Sequence, residues 1–117
     1  AYDNWNSHHI APKLYEEGFD LIEFRQGFKS MNAPTKELQA AVESKKFNHG
    51  NNPVLRWMVG NASVKSDPAG NIKLEKDFKS PNKKIDGLIS NIMAFGLWLD
   101  KPDSNKSYLE EGNLYII

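Results

Sequence analysis

The stretch "SPNKKIDGLISNIMAFGLWL" (Ser80 to Leu99) constrains the fold most. Ile85, Leu88, Ile89, Ile92, Met93, Gly96 and Leu99 recur at the spacing of one helical face, so the segment reads as an amphipathic helix that covers a sheet. Ser80 suits its N-cap and Pro81 its first helical position. Such a helix cannot bury its stripe alone, so the remaining residues are expected to supply the layer beneath it.

The clearest sheet signal is a hairpin. "ASVKS" and "NIKLEK" flank "DPAG", in which Asp67 and Pro68 set a type I turn and Gly70 takes a left-handed conformation. Val64, Ile72 and Leu74 are expected on its apolar side. "FDLIEFR" (Phe19 to Arg25) reads as a strand on its β-branched and aromatic content. Before it, "NWNSHHIAPKLYEEG" reads as a helix with Asn4, Asn6 or Ser7 as cap, Ile10 and Leu14 as its stripe, and Gly18 as its stop. Pro12 requires that helix either to kink or to start later. A helix followed by a strand is half of a parallel β-α-β unit, and the strand preceding it would end at Tyr2-Asp3. The sequence is therefore expected to begin mid-fold, with strands upstream of residue 1.

Between these elements, "QGFKSMNAP" reads as a loop and "TKELQAAVESKKF" as a helix, with Pro34 at its first turn, Leu38, Ala41 and Val42 buried, and Lys45 and Lys46 in its last turn. "PVLRWMVGN" reads as a short helix capped by Asn52. Trp5, Trp57 and Trp98 are expected in core or edge packing. Residues 1–100 then form one α/β unit and 101–117, "KPDSNKSYLEEGNLYII", a polar break with an apolar tail.

Composition excludes several chemistries. Fifteen basic and fifteen acidic residues cancel, so a basic surface must be local. There is no cysteine, hence no disulfide, thiolate metal site or cysteine nucleophile. No Walker A loop, G-x-S-x-G elbow or H-E-x-x-H pattern occurs. No apolar run approaches a membrane span and no signal peptide opens the sequence.

Two carboxylates remain of interest. Asp3 is a helix cap on one reading. At the C-terminal tip of a parallel strand it would instead lie where open α/β sheets place their sites. Asp86 borders the apolar stripe near a helix start, where the helix dipole favours a negative charge; a surface acid is the bland reading. Two such acids meeting at a tip suit hard divalent cations, and two ions about 4 Å apart can hydrolyse a phosphodiester. Lys76, Lys79, Lys83 and Lys84 gather ahead of Asp86, as a phosphate-attracting or simply solvated loop. His49, in "NHGNNP", could touch phosphate or be a loop histidine without a role.

"YDNWN", "RQGFKSMNAPTKELQ", "HGNNPVLRWMVGN", "DPAGNIK" and "KKIDGLISNIMAFG" occur in the order found in large terminase subunits of tailed bacteriophages. From about Tyr2 to Leu99 the chain resembles their C-terminal nuclease domain. The resemblance implies a ribonuclease H-like mixed sheet flanked by helices, with the N-terminal strands missing, and residues 1–100 as the C-terminal part of that domain. It implies an endonuclease that cuts concatemeric viral double-stranded DNA at a cluster of acids holding Mg²⁺ or Mn²⁺. By motif match Asp3 and Asp86 are two of these acids, catalytic and metal-binding, and a third is expected upstream, so that the chain alone would be inactive. Lys83, Lys84 and His49 are the expected DNA contacts. Portal protein and the small terminase subunit are the implied partners, without a membrane, in the host cytoplasm. A rival expectation is a non-catalytic module that docks on portal or another terminase subunit through the hairpin and the tail.

Overall fold

The computed structural model describes residues 1–77 and 79–100; the expected 101–117 tail lies outside them. Four helices and one hairpin follow in the order α1 (Ala11–Glu16), α2 (Phe28–Glu43), α3 (Pro53–Asn61), β1 (Ala62–Ser66), β2 (Ile72–Lys76) and α4 (Asp86–Leu99).

α4 is the centre of the packing, as its spacing predicts. Ile92 and Met93 are buried from it, joined by Phe95, which lies off the predicted stripe. With Phe24, Met31 and Leu38 they form the core, and Leu88, Ile89 and Leu99 pack half-buried against it. α4 nevertheless starts later than Ser80. Asp77 accounts for this: its carboxylate accepts from the Lys79 N–H at 3.0 Å and the Ser80 hydroxyl at 3.4 Å. A turn then closes through Lys83 N–H to Ser80 C=O at 2.9 Å. The chain enters α4 only after Ile85, which is itself buried.

α2 begins at Phe28, not near Pro34, so the expected loop from Gln26 to Pro34 is helical over most of its length. Pro34 removes one backbone hydrogen bond there. Burial of Met31, 1% exposed, and of Pro34 itself against Gly96 offsets that loss. Lys45 and Lys46 follow the helix rather than closing it. Lys45, at φ 58°, takes the left-handed position of a Schellman motif, with Lys46 N–H to Ala41 C=O at 2.8 Å and Lys45 N–H to Val42 C=O at 3.0 Å.

α3 has the predicted cap: Asn52 Oδ1 accepts from Val54 N–H at 2.9 Å and Leu55 N–H at 3.2 Å. The hairpin pairs antiparallel with Val64 opposite Leu74. Asp67 closes its turn, accepting Asn71 N–H on Oδ1 and the Asn71 side-chain amide on Oδ2, both at 2.8 Å. The pair is less one-sided than expected. β2 packs against α2, with Ile72 N–H donating to Asn32 Oδ1 at 3.0 Å, while β1 lies outside and leaves Val64 61% exposed.

The first 25 residues depart most from expectation. α1 starts at Ala11, because Pro12 is tolerated only in a first turn, and it buries no residue. Asn6 is left-handed at φ 64°, which breaks the predicted helix ahead of it, and Gly18 ends the helix at φ 88°. Trp5 and Trp57 are exposed; only Trp98 packs, its ring centroid 5.2 Å from that of Phe95. In place of a strand over Phe19 to Arg25 there is one parallel bridge, Tyr2 to Glu23. It is made by Tyr2 N–H to Ile22 C=O at 3.0 Å and Phe24 N–H to Tyr2 C=O at 2.8 Å. A longer ladder needs a partner at every second residue, and among the described residues only Tyr2 provides one. The parallel sense is nonetheless the one the β-α-β reading requires.

Candidate functional site

The parallel bridge orders the groups around Asp3. The residue after a bridging Tyr2 advances in the same direction as the residues after Glu23, so Asp3 comes level with Phe24 and Arg25. Asp3 Oδ1 accepts from the Trp5 N–H at 3.2 Å, a local turn that fixes the carboxylate just past the bridge, and the Ser7 hydroxyl donates to the Asp3 carbonyl. A cavity of about 480 Å³ opens here, and His8, Glu23, Arg25 and Gln26 line it together with Asp3.

Two contacts orient this tip against α4. Phe24 lies on Gly96, and Gln26 Nε2 donates to the Met93 sulfur at 3.6 Å. Moving toward the tip therefore moves along α4 toward its start, where Asp86 stands in the first turn. Phe24, the residue level with Asp3, lies on Gly96, which is roughly 15 Å along the axis from Asp86 at 1.5 Å per residue, and Gln26 reaches only as far as Met93. Asp86 is exposed and does not line the cavity of Asp3. The start of α4 is held from beneath by α3: Asn61 Nδ2 donates to the Lys84 carbonyl at 3.0 Å, and Gly87 packs on Met58 and Leu55.

The other candidates are dispersed. Lys83 Nζ is 3.4 Å from Asp77 Oδ2, an exposed ion pair. With the Lys79 N–H as the larger cause, that contact holds the Asp77 carboxyl below its ordinary range. The Lys84 side chain is exposed. His49 sits beside Phe47, ring centroids 6.5 Å apart, at an apolar cavity shared with Leu38, Leu55 and Leu88, and its Nδ1 is buried without a hydrogen-bond partner. Among the described residues no three His, Asp or Glu side chains are grouped to hold a metal ion, and no helix is long and apolar enough to cross a membrane. Sequence reasoning missed Arg25 and His8 as neighbours of Asp3. The parallel β-α-β inference was the signal that could have found Arg25, since it implies that register.

The family model for the endonuclease domain of the terminase large subunit matches residues 1–101. This chain belongs to that family. Protein YmfN of Escherichia coli K12 is 31% identical over 103 residues, covering 86% of this chain and 23% of that protein. The terminase large subunit of Enterobacteria phage HK97 is 34% identical over 98 residues, covering 82% of this chain and 19% of that protein. The crystal structure of the HK97 bacteriophage large terminase superposes with a TM-score of 0.69 at 33% identity, over 82% of this chain and 20% of that one. The fold is thus the α/β, ribonuclease H-like fold of a terminase nuclease domain. The antiparallel hairpin and the single parallel bridge are its sheet elements among the described residues.

Proposed function

We propose that this chain is part of a metal-dependent endonuclease that cuts concatemeric double-stranded viral DNA during packaging, with Asp3 and Asp86 as ligands for Mg²⁺ or Mn²⁺. What supports the reading is membership of the terminase endonuclease-domain family together with the parallel Tyr2–Glu23 bridge, which makes Asp3 the first residue past a strand-like contact; that Asp3 and Asp86 share metal is the proposal itself. Carboxylate oxygens are the hard donors these ions take, so the donor chemistry fits. Two carboxylates are fewer ligands than a two-ion site needs, and a further acid would come from elsewhere in the complete terminase. When bound, such ions supply a Lewis acid and an acidified water for phosphodiester hydrolysis.

The chain's own residues have distinct parts in this reading. The Trp5 N–H fixes the Asp3 carboxylate, and the first turn of α4 fixes Asp86 where the helix field favours a negative group. Lys84 remains an available cation for phosphate, Lys83 is shared with Asp77, and the apolar surroundings of His49 suit packing more than phosphate contact. Portal protein and the small terminase subunit would be partners in the full assembly, and the host cytoplasm the place of action.

Nicking of supercoiled plasmid by the full-length polypeptide tests the proposal. Activity should appear with Mn²⁺ or Mg²⁺, vanish with EDTA, and fall at least about 100-fold in Asp86→Ala, the scale of losing a group that stabilises transition-state charge. Equal nicking by Asp86→Ala would reject Asp86 as a ligand and favour the docking module.

A further inference from the structure

The cavity beside His49 has no part in the nuclease reading. It holds about 290 Å³ between α2, α3 and α4, and Val42 and Val59 line it while 50% and 58% exposed. The buried, unpartnered Nδ1 of His49 has given up water without gaining a hydrogen bond. Arg56 is the only Lys, Arg, Asp or Glu among the described residues at the cavity wall. Its Nη1 donates to Asn51 Oδ1 at 3.2 Å, and among the described residues no carboxylate pairs with it. A second cavity, of about 270 Å³, is lined by Phe95, Trp98 and Leu99 near the end of α4. Leu88 and Asn91 of the first cavity and Phe95 and Trp98 of the second recur at steps of three, four and three, so one face of α4 carries both. A chain leaving α4 at Asp100 can therefore return to His49 along that face. Asn91 and Leu88 lie about 14 and about 18 Å back along the axis at 1.5 Å per residue.

We propose that this cavity is the seat of the chain's own segment 108–111, folded back along α4. Seven residues, Lys101 to Ser107, separate Asp100 from Tyr108. Eight steps of about 3.3–3.6 Å span up to about 26–29 Å, enough for the return along α4 and a sideways step into the cavity. Tyr108 matches the cavity in kind. Its ring is apolar, and its hydroxyl can donate or accept, so it satisfies His49 Nδ1 in either tautomer. Leu109 adds apolar cover for Val42 and Val59. Glu110 and Glu111 follow directly and bring a carboxylate to Arg56. Tyr115, by contrast, has no acid within three residues on either side, which singles out Tyr108. The inference stands apart from the metal and DNA chemistry above.

Amide hydrogen exchange of the full-length polypeptide, read by mass spectrometry over residues 47–59, tests the seat. Exchange there should quicken roughly fivefold in Tyr108→Phe, the scale of one net hydrogen bond, and at least about tenfold in Tyr108→Ala, which also removes a buried ring. Tyr115→Phe should exchange as wild type does. Exchange over the hairpin, residues 62–76, should not change in any variant; if it does, a cross-link decides. On mild oxidation Leu109→Cys should form a disulfide with Val59→Cys and not with Val64→Cys, which stands on the outer strand of the hairpin. Unchanged exchange in Tyr108→Ala, or equal cross-linking to both positions, would overturn the proposal. Protection that rises with protein concentration would give the cavity to a second copy and overturn it as well.

Discussion

Replacing Gly96 by Ala would put a methyl carbon 2.7 and 2.8 Å from Cε2 and Cζ of Phe24 and 2.9 Å from Cγ of Pro34. Both rings are buried, Phe24 to 8% exposure, so neither can swing into solvent. On an open helix surface the same change would stabilise by about 1 kcal/mol through helix propensity. Overpacking of a filled core costs about 1–3 kcal/mol. The contact distances decide for the second effect, and the net expectation is a destabilisation of about 0–2 kcal/mol. Gly87→Ala is the internal comparison. Its added carbon meets the Met58 sulfur at 3.0 Å and Leu55 Cδ2 at 3.2 Å, and a thioether yields where two rings cannot. That variant should be neutral or up to about 1 kcal/mol more stable. Urea unfolding of both variants beside wild type reads the difference. A Gly96→Ala protein more stable than wild type by about 1 kcal/mol would refute the close packing of Phe24 on α4. Because Phe24 N–H holds the bridge to Tyr2, the proposed nuclease function predicts slower plasmid nicking for the same variant.

Other consequences concern the start of α4 and the hairpin turn. Asn61→Ala leaves the Lys84 carbonyl without its donor and should cost about 1–3 kcal/mol in urea unfolding, with a loss of cleavage if Asp86 is positioned through that loop. The Asn71 side-chain amide holds the Asp67 carboxyl below its usual 3.8. A depressed folded value means stability present above the unfolded value and lost as pH falls through the folded one. The difference in unfolding midpoint between wild type and Asp67→Asn should therefore be constant at neutral pH and shrink below about pH 4. A difference that does not change with pH would contradict the hydrogen bond as its source.

How much of this was legible in the sequence depends on how local its cause is. The α3 cap at Asn52 and the turn at Asp67 to Gly70 are set by neighbours within a few residues, and the structure has both. The α4 stripe was legible because its period is local, whereas its start was not, because Asp77 diverts the turn at Ser80. The extension of α2 back to Phe28 depends on burying Met31 and Pro34 against α4, a tertiary gain that no local signal contains. Of the candidate site, Asp3 at a parallel contact was inferred from the order of helix and strand. The neighbours Arg25 and His8, and the ion pair that occupies Lys83, depend on packing between distant segments. His49 shows the same limit: a polar loop by composition, it is placed by Phe47, Leu55 and Leu88.

The central claim is that Asp3 and Asp86 hold metal together. It is tested most directly by anomalous scattering from crystals of the full-length polypeptide soaked in Mn²⁺. The account predicts manganese bound by both carboxylates, and its loss in Asp86→Asn. Carboxylates more than about 10 Å apart, with no manganese between them, would contradict it, since no two-ion cluster spans that distance.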